Sequence, residues 1–225
     1  MYNKFAYYYD VMMENVNYDY FIDIVTKYIP PKGVILDAGC GTGAILIGML
    51  QNNYNVIGVD LSSEMLEICE HKLRSNNLCA KLYQGDLTQG LAIESFDAVV
   101  SFLDVINYIK DYKSAFENIY ASLKSGGIFI FDVHSVFYVN DLIGYEEEMN
   151  YQTFQYHWNV TKGDEENSII HHLIITTKEN NVYEEKHFQR TYPLEVYIKT
   201  LEEIGFKVEV LPESDEYKTF IKCQK

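Results

Sequence analysis

The sequence predicts an α/β fold: a doubly wound, mostly parallel sheet of seven strands whose last two form an antiparallel hairpin. A small antiparallel β insert is expected after the fifth strand. Three observations lead there. Short, almost continuous apolar runs at 34–36, 56–59, 96–100 and 128–133 alternate with stretches whose apolar residues recur at helical spacing. Four of the first five runs end on an acid, at Asp37, Asp60, Asp86 and Asp132, which gathers polar groups on one sheet edge. Beyond His134 the period changes from helical to alternating.

In chain order, the stretch 5–13 is short and aromatic. A helix over 18–29 is marked by Phe21, Ile22, Val25, Tyr28 and Ile29 and is stopped by Pro30-Pro31. The first strand, 34–36, runs into Asp37-Ala38-Gly39-Cys40-Gly41-Thr42-Gly43 and a helix carrying Ile45, Leu46, Met49 and Leu50. The second strand ends at Asp60, and Ser62-Ser63-Glu64 opens the next helix. Strands three and four cover 80–84 and 96–101. A helix near 114–123 and the turn Ser125-Gly126-Gly127 then lead into the fifth. Continuous apolar strands joined by helices imply helices on both faces and right-handed crossovers.

Residues 151–161, 168–178 and 182–191 read as three antiparallel strands, with turns at Gly163-Asp164 and Asn180-Asn181. Pro193 starts a last helix that Gly205 caps, and strands at 206–211 and 217–223 close the hairpin. We therefore expect a single domain over 1–225, with the insert at about 140–191.

Composition narrows the function. The 225-residue chain carries 33 acidic against 18 basic residues, a net charge of −15, so a nucleic-acid partner is unfavoured. Its four cysteines show neither metal-ligand nor disulfide-framework spacing, which suits a reducing compartment. No basic segment followed by an apolar run opens the sequence, and no apolar run reaches the roughly 20 residues of a membrane span. A cytoplasmic protein without a membrane partner is expected.

The glycine loop carries the strongest chemical signal. Alternating glycines let backbone approach a ligand, and the following helix offers unpaired N–H groups. Asp60, about twenty residues on, stands where an acid meets ribose hydroxyls; the alternative is a cap on its helix. Asp86 suits the exocyclic amine of adenine, or is a turn aspartate. Asp37 either organises the loop or reaches a ligand ammonium. Gly39-x-Gly41-x-x-Ala44 also satisfies a dinucleotide pattern. The closing hairpin, in place of a second nucleotide-binding half, disfavours that reading.

Leu36-Asp37-Ala38-Gly39-Cys40-Gly41-Thr42-Gly43 resembles the first motif of the class I S-adenosylmethionine (SAM)-dependent methyltransferases, which are Rossmann-like. Gly58-Val59-Asp60 with 61–66 resembles the second, Gln84-Gly85-Asp86-Leu87 the third, and 123–127 the turn before the fifth strand. The resemblance implies SAM as cofactor and S-adenosylhomocysteine as product. It implies that Gly39, Cys40, Gly41 and Gly43 lie along the methionine part and that Asp60 takes the ribose. Leu61 and Met65 would flank the adenine, with Asp86 and Leu87 on its other side and Phe102 and Leu103 nearby. The lead-in Phe5-Ala6-Tyr7-Tyr8-Tyr9-Asp10 looks like that of a small bacterial group in the family, with Tyr9 closing over the cofactor. A ring face beside a sulfonium is attractive, by about 0.5–2 kcal/mol; packing helix to sheet is the other role open to it.

For methyl transfer the sequence offers Asp104 and His134 as catalytic candidates near the strand ends. Asp104 and Asn107 alternatively cap a short helix, and His134 is alternatively a packing residue. Tyr108, Trp158 and Arg190 are candidates for touching the acceptor. Trp158 belongs to an aromatic row with Phe154 and Tyr156 that otherwise packs on the core, and Arg190 otherwise pairs with nearby acids. His171 and His172 are adjacent on a strand and face opposite ways, so that pair makes no metal site. A small-molecule acceptor is expected. A tRNA or protein acceptor, or SAM binding without transfer, are the alternatives; the acceptor atom and the oligomeric state are not encoded legibly.

Overall fold

The computed structural model describes residues 6–90 and 95–225, so Phe5 of the aromatic lead-in lies outside the described residues. In order the elements are α1 (Ala6–Met12), α2 (Tyr18–Tyr28), β1 (Val34–Ala38), α3 (Ala44–Gln51), β2 (Asn55–Asp60), α4 (Ser63–Ser75) and β3 (Lys81–Gln84). Then come β4 (Phe96–Ser101), α5 (Val105–Tyr108), α6 (Tyr112–Ser122), β5 (Leu123–His134) and α7 (Val136–Asp141). β6 (Glu146–Asn150), β7 (Phe154–Lys162), β8 (Ser168–Thr177), β9 (Val182–Arg190), α8 (Leu194–Ile204), β10 (Lys207–Val210) and β11 (Lys218–Gln224) complete the chain.

Among the described residues the main sheet has seven strands in the order β10-β11-β5-β4-β1-β2-β3. Only β11 runs against its neighbours, pairing antiparallel with β10 and β5 as the expected hairpin requires. Alternation along each strand feeds two cores. Ile35, Val56, Ala98, Val100, Ile130 and Phe220 face α2 and α3, whereas Leu36, Val99, Phe129, Phe131 and Ile221 face α6 and α8. Leu36, Phe129 and Ile221 are fully buried, so truncating any of them to alanine falls in the range of about 2–5 kcal/mol.

The insert is a separate antiparallel sheet in the order β6-β7-β8-β9, with four strands where the alternation suggested three. The missed strand, β6, reads Glu-Glu-Glu-Met-Asn and is almost wholly exposed. It is an edge strand held by its ladder to β7, so it has no apolar face to show in sequence.

The second sheet packs where the main sheet ends. Phe154, Tyr156, Leu173 and Ile175 cluster with Ala6 of α1 and Met65 of α4, and Val160 and Ile169 cluster with Val139 and Leu142 around α7. α7, absent from the periodicity, begins at Ser135, whose hydroxyl accepts from the Tyr138 N–H at 3.0 Å. The insert thereby roofs the carboxyl edge of the parallel strands.

Candidate active site

Loop 39–43 leaves β1 tied to β2, because the N–H groups of Gly39 and Cys40 donate to the Val59 carbonyl at 2.7 and 3.0 Å. Its three glycines hold φ of +84°, +53° and +84°, but they answer to different neighbours. A Cβ on Gly39 would sit 2.6 Å from the Val105 side chain, and one on Gly43 would sit 2.4 Å from Cys69 Sγ. One on Gly41 would meet nothing within 4 Å. Gly41 therefore faces open space, whereas Gly39 and Gly43 also give room to α5 and α4.

Asp60 reaches across this loop. Its Oδ2 accepts from the Gly41 N–H at 2.7 Å and its Oδ1 from the Ser62 N–H at 2.9 Å. Capping of α4 falls to Ser62, whose Oγ accepts from the Met65 N–H at 3.2 Å. Burial raises the Asp60 carboxyl above its ordinary range against the pull of those N–H groups. Asp37, 2% exposed, has an Oδ2 with no hydrogen-bond partner among the described residues. Burial first, then the charge of Asp60, pushes its carboxyl up to about 7.

The remaining cofactor candidates fall into two groups. Leu61, 68% exposed, stands beside Asp60, while Met65 and Leu87 are buried. Asp86 Oδ1 accepts from the N–H and hydroxyl of Thr88 at 2.9 and 2.8 Å, the turn arrangement, leaving Oδ2. Cys40 packs in the core under the loop, where a hydrogen bond with Cys69 and burial keep its thiol protonated. Phe102 packs its ring against Phe21 and Phe220 in that same core. Leu103 is left-handed at φ +62° and donates its N–H to Asp132 Oδ1 at 2.7 Å.

Helix α1 is latched onto the loop by a contact that sequence reading missed. Thr42 Oγ1 donates to Asp10 Oδ1 at 2.6 Å, and Lys72 Nζ donates to Asp10 Oδ2 at 2.9 Å. Asp10 immediately follows Tyr9, whose hydroxyl is raised well above its ordinary range by burial and by Tyr108, Tyr18, Asp104 and Asp10 around it. Tyr9 is thus buried close to Tyr18, Tyr108 and Asp104, on the residue before the one that holds the loop.

At those ends the structure brings Asp104 and His134 together, with His134 Nε2 at 3.3 Å from Asp104 Oδ2. Asp104 does occupy the N-cap position of α5, but its carboxylate makes no capping bond. Gln189 Nε2 donates to its Oδ2 at 2.9 Å and Lys218 Nζ to its Oδ1 at 3.2 Å. Burial pushes the Asp104 carboxyl up, yet His134 and Lys218 outweigh it and hold the group well below the usual carboxylate range.

His134 is stitched in place through its backbone: its N–H donates to Asn107 Oδ1 at 2.9 Å and its carbonyl accepts from Thr191 Oγ1 at 2.5 Å. Its Nδ1 is buried with no hydrogen-bond partner among the described residues. Asn107, expected as a cap, instead ties α5 to β5 and β9, since its Nδ2 also donates to the Arg190 carbonyl.

The three acceptor candidates diverge. Tyr108 is partly exposed, edge-on to His187, and close enough to Tyr9 to perturb its hydroxyl. Trp158 packs in both clusters beneath the roof and donates its indole N–H to His171 Nδ1 at 3.1 Å. Arg190 pairs with Glu165, donates to the Glu166 carbonyl and lies over the Tyr192 ring, the acid-pairing alternative open to it from sequence. Lys218 and Gln189 were not legible as site residues. The one available signal was a polar residue in an inward register of β9.

Residues 36–131 match the family model described as a methyltransferase domain. The chain is 32% identical to the “Putative methyltransferase YqeM” of Bacillus subtilis (strain 168), over all of this chain and 97% of that one. The chain belongs to the class I SAM-dependent methyltransferases. A SAM-dependent methyltransferase from Clostridium acetobutylicum ATCC 824 superposes with a TM-score of 0.82 at 26% identity, covering 99% of this chain and 98% of that one. The fold is shared also with the sugar N-methyltransferase KedS8 from Streptoalloteichus sp ATCC 53650, at TM-score 0.77 and 19% identity over 96% and 92% of the two chains.

The methyltransferase's own residues fit such a cofactor. An unpartnered carboxylate oxygen on Asp37 suits an ammonium, the open face of Gly41 admits a ligand backbone, and Asp60 keeps lone pairs beyond its two N–H donors.

Proposed function

We propose that this methyltransferase acts on a small-molecule acceptor, at a heteroatom whose proton passes to His134. The observation that carries the reading is the buried His134 Nδ1 without a partner, on a ring whose Nε2 lies 3.3 Å from the Asp104 carboxylate. A carboxylate beside one imidazole nitrogen favours the proton there and leaves the other as a lone-pair base. SAM, when bound, supplies a methyl group already activated on a sulfonium.

In this reading Asp37 holds the ammonium, Gly41 borders the methionine part and Asp60 takes the ribose hydroxyls. Leu61, Met65, Asp86 and Leu87 surround the adenine, with Phe102 and Leu103 behind, and Tyr9 covers the sulfonium side. Tyr108 and Trp158 shape the acceptor end. The roof excludes water, and alignment alone supplies roughly 7–11 kcal/mol of such a barrier. The net charge of −15 supports a small molecule over tRNA, as does the fold shared with a sugar N-methyltransferase. Four free cysteines support a cytoplasmic location. Among the described residues no helix is long and apolar enough to cross a membrane.

The test is release of S-adenosylhomocysteine from SAM with a panel of small amines, hydroxy compounds and amino sugars, beside unmodified tRNA and denatured protein. Turnover with a small molecule that falls about 10²–10⁴-fold in His134→Asn, with SAM affinity kept, supports the reading. Turnover on tRNA or protein alone, or a fully active His134→Asn, overturns it.

A further inference from the structure

The second sheet does more than roof the site. From Trp158 a chain of hydrogen bonds runs down its inner face to the main sheet. Trp158 Nε1 donates to His171 Nδ1 at 3.1 Å, His171 Nε2 lies 2.9 Å from Gln189 Oε1, and Gln189 Nε2 donates to Asp104 Oδ2 at 2.9 Å. Its two ends are each one-way. An indole N–H only donates and an ionised carboxylate only accepts. His171 must therefore be neutral, with its lone pair on Nδ1 and its proton on Nε2, and the Gln189 amide has one permitted orientation. Burial lowers the pKa of His171, in keeping with the neutral ring. His171 and Gln189 are 8% and 1% exposed, so water does not readily substitute in the chain.

We propose that Trp158, His171 and Gln189 form a polarised relay that orients the Asp104 carboxylate and thereby fixes the tautomer of His134, a role that rests on the reading of His134 as proton acceptor. Gln189 is then a positioning residue. It holds Asp104 Oδ2 from the roof side while Lys218 holds Oδ1 from the hairpin side. With both oxygens fixed, the carboxylate favours the proton on His134 Nε2 and leaves the lone pair on the unpartnered Nδ1. Because three of the five members sit on β7, β8 and β9, the pair is ordered only when the insert is docked. The charged and titratable groups around it are Asp104, Asp132, Lys218, His171, His187, Tyr9 and Tyr138.

Long-range ¹H–¹⁵N spectra of the full chain report which nitrogen of each histidine is protonated, without any acceptor. The relay requires His171 as the Nε2–H tautomer and His134 as a single Nε2–H tautomer at neutral pH. Gln189→Met keeps the size of the side chain but can neither accept from His171 nor donate to Asp104, so it should turn His134 into a mixture of both tautomers. A packing role would tolerate it. Should Gln189→Met fail to fold, Trp158→Phe should leave His171 as the Nε2–H tautomer, because Asp104 and Gln189 still hold it from the other end. A proton on His171 Nδ1 in the native chain or in Trp158→Phe, or His134 unchanged in Gln189→Met, overturns the relay even if His134 proves essential. An active His134→Asn would remove the base reading while leaving these tautomers as measured.

Discussion

Lys218 places its ammonium 2.7 Å from Oδ2 of Asp132, a carboxylate with no exposed surface, at the start of the strand that pairs with β5. The same ammonium meets Asp104 at 3.2 Å. One cation is thus shared by two acids that the fold brings together beneath the site. Burial alone would lower its pKa, and the two carboxylates raise it instead.

Removing that cation should be costly. Lys218→Met takes the shared cation from two buried carboxylates and leaves Asp132 with backbone N–H donors alone, and we expect a loss of about 3–5 kcal/mol in urea unfolding. The pH dependence follows from Asp104. Its carboxyl is held low in the folded state, so its contribution is complete above the unfolded value of about 3.9 and disappears as pH falls below it. Native stability should therefore drop on acidification through that range. A Lys218→Met variant as stable as the native chain would contradict the electrostatic account.

The glycine loop separates stability from binding. Gly43→Ala drives a Cβ to 2.4 Å from Cys69 Sγ at φ +84° and should destabilise the chain by more than about 2 kcal/mol. Gly41→Ala meets open space and bears only left-handed strain, about 1 kcal/mol, but should weaken SAM binding at least tenfold. Thermal unfolding and calorimetry with SAM measure the two effects; equal behaviour of the variants would refute the distinction.

Asp37 should make stability fall as pH rises from about 4 to 7. Folded Asp37 titrates at about 7, so across that window it keeps a proton that the unfolded chain has released. Asp37→Asn should remove this contribution to the slope. If an ammonium pairs with Asp37, SAM binding near pH 7 should release protons, seen as a dependence of binding heat on buffer ionisation enthalpy. No such dependence would place the ammonium elsewhere.

Asp60→Ala should weaken SAM roughly 10- to 100-fold, since each hydrogen bond to a charged group contributes about 1.5–3 kcal/mol. Part of the loss comes through Gly41, whose N–H then has no acceptor. Asp60→Asn should lose less, keeping one oxygen acceptor. Unaltered affinity in Asp60→Ala, measured calorimetrically, would remove Asp60 from the site.

The parallel core was legible because its strands are apolar on both faces and its helices on one. That contrast survives in a single sequence. β6 was not legible, since an exposed acidic edge strand is specified by its partner's ladder alone. Among the glycines, spacing marked the loop, but only the positions of Val105 and Cys69 distinguish packing glycines from the one facing open space.

By itself the sequence determined the alternation of strands and helices, the glycine loop with Asp60 behind it, and from these the methyltransferase family. Those features depend on neighbours within a turn or along one strand. The tertiary structure alone decided which polar residues meet: Asp104 with His134, Gln189 and Lys218, from four elements as far apart as residues 104 and 218. Such contacts arise from sheet order and from the docking of the roof, and no local period encodes them.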